Sequence, residues 1–297
     1  VSAKGINKHY LLLHFIVFIW GFSPILGRFI TVDAFSLVWY RILITVAVMF
    51  AYIKIAKINY KIDGKTILQL SATGIIILIH WLCFYGAIKV SNVSVTMVAF
   101  STGTLFSSII EPILYKRRVR IYEVVIGLII ITGIAFIFTI ETKYWLGITL
   151  GILAALTAAF FGVINGLMIK KTEAAVISFY ELSAALIGLT LYMLSADQMN
   201  QAFFNLDNQS IIGLLLLSLV CTVFPFIASV NLNKYLSPYT QILTVNLETV
   251  YGIIWAIIFY NENKEVKPSF YLGVVIILAA VFLNPIIKSR LESRKNN

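Results

Sequence analysis

Ten apolar runs, each close to twenty residues long, succeed one another along this chain with only short charged connections between them. A helix of that length extends about 30 Å at 1.5 Å per residue, enough to cross a hydrocarbon core. Unbroken apolarity favours helices over barrel strands, which are shorter and alternate polar with apolar residues. Composition agrees. Of the 297 residues 60% are hydrophobic and 12% charged, against about 45–50% and 25% in soluble domains. The expected fold is an all-α membrane protein of ten transmembrane helices, over about 10–30, 34–55, 66–88, 91–115, 121–140, 146–169, 175–195, 210–233, 237–260 and 269–287. No connection is long enough for a soluble domain. The first span follows Lys4 and Lys8 but exceeds a signal-peptide apolar region and lacks a small-residue cleavage pattern, so it reads as a retained helix.

The net charge of +10 is spread as a topology signal and not gathered as a nucleic-acid patch. With the N-terminus in the cytoplasm, inner segments hold 17 of the 23 basic residues. They lie at Lys4 and Lys8, in the loops after spans two, four, six and eight, and in the tail from Lys288. Arg28, Lys89, Lys143, Lys264 and Lys267 fall outside, and Arg41 stands within a span. Positive residues collect on the cytoplasmic side, so both termini are expected there, in the cytoplasmic membrane of a bacterium. The lipid bilayer is then the expected partner, and nucleic acid is not. Cys83 and Cys221 lie inside spans without metal-ligand spacing. They read as packing residues, and no metal or cofactor is expected.

The chain repeats itself weakly. "IKVSNVSVTMVAFSTGT" (88–104) aligns with "KYLSPYTQILTVNLETV" (234–250), and the same offset sets Gly127 on Gly273. Near the start, Tyr40-Arg41 falls on Tyr180-Glu181 in similar surroundings. The expected halves are 1–142 and 143–297, five helices each. An odd number inserts the second half upside down. Inverted repeats recur in transporters, with the substrate site near the midplane at the repeat interface.

Five-plus-five helices, Trp20-Gly21 in span one, Tyr40-Arg41 in span two, and Asn261-Glu262 followed by Gly273 resemble the EamA-type drug/metabolite transporter superfamily. The resemblance implies a secondary transporter, often an exporter of amino acids, related metabolites or drugs. It also implies a central cavity formed by spans one to four and six to nine, with five and ten outside. The family's acidic residue at the end of the fourth span is here Lys116. Independently, spans five and ten carry almost no polar side chain at membrane depth, so they are expected to face lipid or a second copy in a homodimer.

Candidate site residues follow from polar stripes. Span nine carries Gln241, Thr244, Glu248, Tyr251 and Trp255 at helical spacing. Span four carries Ser94, Met97, Ser101, Thr104, Ser108 and Glu111 on one expected face. Glu248 falls near the midplane, where a carboxyl is costly unless it meets a cation, a proton or a base. It is read as facing a substrate cavity, against the alternative of a neutral acid bonded to a neighbouring helix. Arg41 either holds an anionic group, pairs with a carboxylate or snorkels. His80, beside Trp81 and one turn from Tyr85, is a substrate contact or a packing residue. Trp20, Tyr40, Tyr180 and the aromatics of span nine suit an apolar solute body.

Other features carry structural readings. Glu111 is expected to pair with Lys116, and Glu181 to line an inner vestibule with Ser178 and Tyr192. Gly147, Gly151, Ala155 and Ala159 form a helix-packing ridge. Pro24, with Gly21 and Gly27, and Pro225 mark kinks. The expected function is a secondary transporter of small amphipathic metabolites such as amino acids, working outward by alternating access. The alternatives are an intramembrane lipid-modifying enzyme and a non-transporting scaffold. Against an enzyme, the sequence shows no paired Asp, HExxH or Ser/His set at one depth, so no catalytic residue is assigned.

Overall fold

The computed structural model describes residues 3–140, 142–280, 283 and 287. The tail from Lys288 and most of span ten beyond Ala280 lie outside the described residues. The helices are α1 (Ala3–Trp20), α2 (Ser23–Phe29), α3 (Ala34–Ile55), α4 (Gly64–Val90), α5 (Val93–Phe100), α6 (Gly103–Leu114) and α7 (Ile121–Ile140). The second half continues as α8 (Trp145–Met168), α9 (Ala174–Ser195), α10 (Gln201–Phe204), α11 (Asn208–Ser218), α12 (Phe224–Leu232), α13 (Pro238–Tyr260) and α14 (Phe270–Ala280). Among the described residues eight helices or broken helix pairs are long and apolar enough to cross a membrane. Shorter apolar helices, Val124–Gly133 within α7 and Phe270–Ala280, stand at the fifth and tenth expected spans. Among the described residues there is no strand.

Five helices begin where a short oxygen-bearing side chain precedes an apolar run. Asp33 accepts from the N–H groups of Phe35 and Ser36, Asp63 from Thr66, Asn92 from Val95, Asp207 from Ser210 and Ser237 from Thr240. Each satisfies a donor that a first helical turn leaves open.

Three spans are interrupted. Pro24 has no N–H to give the Trp20 carbonyl, and the first span breaks between α1 and α2. Pro225 likewise leaves the Cys221 carbonyl without its α-helical donor, and a π-helical turn, Leu219–Val223, joins α11 to α12. The Trp20 indole Nε1–H supplies the missing bond to that carbonyl at 3.1 Å. The fourth span is a correction. It breaks at Ser101–Thr102, whose hydroxyls bond the Val98 and Ala99 carbonyls, so its stripe is split between α5 and α6. Local hydroxyl-to-carbonyl bonds compete with the helical ladder.

The two halves interlock through small residues. Gly147 and Gly151 of α8 lie against Ser91 and Ala99, where an added Cβ would sit 2.3 Å from the Ser91 Oγ and 2.7 Å from the Ala99 Cβ. Gly74 of α4 abuts the backbone of α9 at Glu181. Outside this body, α7 packs Gly127 on Leu105 and Gly133 on Ile277 of α14. Val125, Leu128, Leu272 and Val275 remain exposed there, as lipid-facing residues do.

Charge distinguishes the two ends of the bundle. The basic end carries Lys116, Arg117 and Arg118, Lys170 and Lys171, and Lys234. At the opposite end, Glu262 is fully buried. It bonds Arg28 and accepts from Val93 N–H at 2.9 Å, Ser94 N–H at 2.8 Å and the Ser94 hydroxyl at 2.6 Å. Glu265 joins the same cluster through Arg28 at 2.7 Å and Asn92 at 3.2 Å.

Candidate functional site

Between the halves lies a cavity of about 140 Å³. Its aromatic wall is built from α4 (Trp81, Phe84), α5 (Phe100), α8 (Phe161), α12 (Phe226) and Trp20 at the helix break. Trp81 meets Phe226 with centroids 6.0 Å apart, and Phe84 meets Phe100 edge-on at 5.4 Å. No residue of α7 or α14 lines it among the described residues. The lining runs from Arg41 and Glu248 to Asn233 and Pro238 at the basic end.

Arg41 is buried, and its Nε donates to the Thr222 hydroxyl at 2.9 Å. Its Nη1 donates to the Tyr85 hydroxyl at 2.6 Å, and the guanidinium lies 3.9 Å from the Trp81 ring centroid. The side chain therefore does not snorkel; it is held inside the bundle as a cation over an aromatic face. Glu248 faces the same cavity and is 6% exposed. Among the described residues no hydrogen bond or ion pair is made to its carboxylate within contact distance. A buried carboxyl left in that state is open to a partner that enters the cavity.

His80 meets the Ala154 carbonyl through Nδ1 at 2.8 Å. A carbonyl only accepts, so Nδ1 carries hydrogen there. Near the basic end, the side-chain amides of Gln241 and Asn233 lie 2.9 Å apart. Asn246 donates to the Thr104 hydroxyl at 2.5 Å, linking α13 to α6 just past the break in the fourth span.

The structure thus brings Trp20, Arg41, His80, Trp81, Tyr85, Gln241 and Glu248 together around one space. The other predicted residues lie outside its lining. Tyr40 stacks on Phe203 and donates to that residue's carbonyl at 3.1 Å, and Tyr180 donates to the Tyr60 carbonyl at 3.1 Å. Ser101 and Thr244 bond carbonyls one turn back in their own segments. Tyr251 and Trp255 sit beyond Glu248 against Phe18 and Phe22, because α2 closes on α13 there, with Gly21 against the Tyr251 side chain and Gly252 against Pro24.

Two structural expectations change. Glu181 is fully buried and bonds Asn165 at 3.3 Å, so it does not line a vestibule, and Tyr192 is exposed. Glu111 pairs with Arg117 at 3.2 Å and accepts from the Tyr239 N–H at 2.6 Å. Its partner is not Lys116, which takes a left-handed conformation (φ 52°) just past the end of α6. Cys83 and Cys221 are free thiols.

Sequence reasoning missed Asn246, Asn165, Asn233 and the phenylalanine wall. Asn246 carries a readable signal, an amide inside an apolar run two residues from Glu248, but it falls off the selected helical face.

The EamA-like transporter family model matches residues 7–139 and again 145–285. The chain belongs to the EamA-like transporter family. Members of this family are transporters, and the EamA-like chain is an integral membrane protein. Among solved structures, one crystal structure of a protein shares 12% identity and a TM-score of 0.70, covering 96% of this chain and 99% of its own. At that identity the likeness shows the fold alone. No curated protein matches the EamA-like chain.

Proposed function

We propose that the chain is a secondary transporter that exports small amphipathic metabolites, amino acids among them, across the cytoplasmic membrane of a bacterium by alternating access. The reading has ten spans in two inverted five-helix halves, 1–142 and 143–297, with both termini cytoplasmic. The double match of the family model, once in each half, supports the repeat. The basic residues at the end where the cavity emerges support a cytoplasmic opening.

One observation carries the substrate reading. Arg41 and Glu248, side chains of opposite charge type, share a cavity that also has an aromatic wall. A zwitterion with an apolar body matches that arrangement: Glu248 takes the amino group, Arg41 the carboxylate, and the aromatic wall the side chain. Arg41 is held by Thr222 and Tyr85, so little ordering remains to be done when the solute enters.

Alternating access needs a closed end. Beyond Glu248 the Trp255 ring stacks on Phe22 with centroids 5.0 Å apart, and the Tyr260 hydroxyl donates to the Ile25 carbonyl at 3.1 Å. Past these, Arg28 bonds Glu262 and Glu265. On this reading the structure is the inward-facing state, and export breaks these contacts while the basic end closes. A thermal-shift screen of the protein amino acids on purified protein, followed by counterflow in liposomes, tests the proposal. Stabilisation and counterflow by apolar amino acids support it; neither for any amino acid removes the substrate class.

A further inference from the structure

A second buried carboxyl, Glu181 of α9, lies one layer behind the cavity and is 0% exposed. One oxygen, Oε2, accepts from the Asn165 side-chain N–H at 3.3 Å. The other, Oε1, has no partner among the described residues, and neither has the Asn165 Oδ1. Two buried acceptors stand orphaned on the two side chains already joined by one hydrogen bond. Each is costly to leave unsatisfied away from water.

A single proton removes both deficits. Placed on Glu181 Oε1, it turns the carboxylate into an acid whose O–H can donate to Asn165 Oδ1, while Asn165 Nδ2 continues to donate to Oε2. Acid and amide then form a reciprocal pair with every polar atom used. Among the described residues no counter-ion competes for that role. The helices α8 and α12 contain no titratable side chain. From α4, Gly74 meets the Glu181 backbone, and His80 is bonded to Ala154. On α3, Arg41 turns to Thr222, Tyr85 and the cavity, and Lys54 bonds Tyr60 at the helix end. The neighbouring Tyr180 of α9 reaches the Tyr60 carbonyl, and Tyr192 is exposed at the far end of the same helix.

We infer that Glu181 and Asn165 form a proton-binding site, at the edge of the Arg41–Glu248 cavity and distinct from the Glu248 carboxyl, that couples transport to a proton gradient. The coupling part rests on the transporter reading. Asn165 also lines the cavity, so it connects the proton to the space where a solute binds. The site joins α8 to α9, and a shift of one helix against the other during alternating access separates acid from amide. Water entering from the cavity then takes the proton from Oε1 as hydronium, leaving the carboxylate. Return of the helices requires a proton from the side then open.

Infrared difference spectroscopy of purified protein tests protonation without any need for transport. The wild type minus Glu181→Gln spectrum is expected to show a protonated-acid carbonyl band at neutral pH, and Asn165→Ala is expected to move that band toward the position of a free acid. Glutamine re-forms the reciprocal pair with Asn165, so Glu181→Gln should melt within a few degrees of wild type. A carboxylate band in its place at neutral pH, or an acid band untouched by Asn165→Ala, overturns the proton site. Should Glu181→Gln not fold, the Asn165→Ala shift alone decides. In liposomes carrying phenylalanine, an imposed pH gradient should alter wild-type flux severalfold and leave Glu181→Gln flux unchanged. Equal responses of both proteins overturn the coupling, and absence of phenylalanine flux in the wild type tells against the transporter reading instead.

Discussion

The carboxylate of Glu111, at the end of the fourth span, accepts the backbone N–H of Tyr239 at the start of the ninth, 2.6 Å away. At the other end of the bundle, Glu262, after the ninth span, accepts the N–H groups of Val93 and Ser94 at the start of the fourth. Val93 and Tyr239 are equivalent in the alignment that sets Ser91 on Ser237. Each of the two spans therefore has its N-terminus held by an acid from the other, and each acid has an arginine beside it, Arg117 or Arg28. A carboxylate suits the positive end of a helix. Glu111 takes this role although it stands five residues before Lys116, the position that aligns with Glu262.

Removing one of these acids should be costly. Glu262→Ala leaves the Val93 and Ser94 N–H groups without acceptors, at about 1–3 kcal/mol each. The variant should melt well below wild type in detergent. Glu262→Gln keeps one acceptor oxygen and should fall between them. A melting temperature unchanged in Glu262→Ala would show that the tie contributes nothing.

Gly74→Ala should also destabilise, for a steric reason. Its Cβ would lie 2.1 Å from the Glu181 carbonyl oxygen, a backbone atom that cannot turn aside. Overpacking of this kind costs about 1–3 kcal/mol, read as a lower midpoint in thermal unfolding. Gly64→Ala, with nothing within 4 Å of its Cβ, serves as the control.

Acid should loosen the closed end, but only well below neutrality. The Arg28 hydrogen bond holds the Glu265 carboxyl below its usual range. A depressed acid contributes stability that is full above its unfolded value of about 4.3 and is lost as pH falls through the folded value. Access to Ser23→Cys in a background without Cys83 and Cys221, read with an impermeant label active in acid and added only from the Glu262 side, should stay low from about pH 8 to 5 and rise only below 4. Arg28→Ala should raise it at every pH. A rise centred near pH 6 would place the control in another group.

Eight of the expected spans were legible because length and apolarity alone decide them, and shorter apolar helices stand at the fifth and tenth. The breaks were legible where proline causes them, at Pro24 and Pro225, and not at Ser101–Thr102, where hydroxyls do. Glu248 and Arg41 stood out as charges in apolar runs, and the cavity contains both. The phenylalanine wall could not be read: with 21 Phe in the chain, most of them apolar filling, nothing marks Phe84, Phe100, Phe161 or Phe226. Tyr40 and Tyr180 misled because their hydroxyls bond connecting-segment carbonyls at the helix ends, a common placement for tyrosine near a membrane surface.

Inversion of the halves has its own test. In a background without Cys83 and Cys221, cysteines placed at Lys116 and Lys264 should label from opposite sides of the membrane. Labelling of both from one side would remove the inverted repeat.

The central claim is that Glu248 recognises the solute's amino group. The most direct measurement is phenylalanine binding to purified wild type and Glu248→Gln by titration calorimetry at neutral pH, with a melting curve for each. Glutamine preserves the shape and removes the charge. Affinity should fall at least tenfold, about 1.4 kcal/mol, with little change in melting temperature. Equal affinity in the two proteins would contradict it and make Glu248 a structural residue.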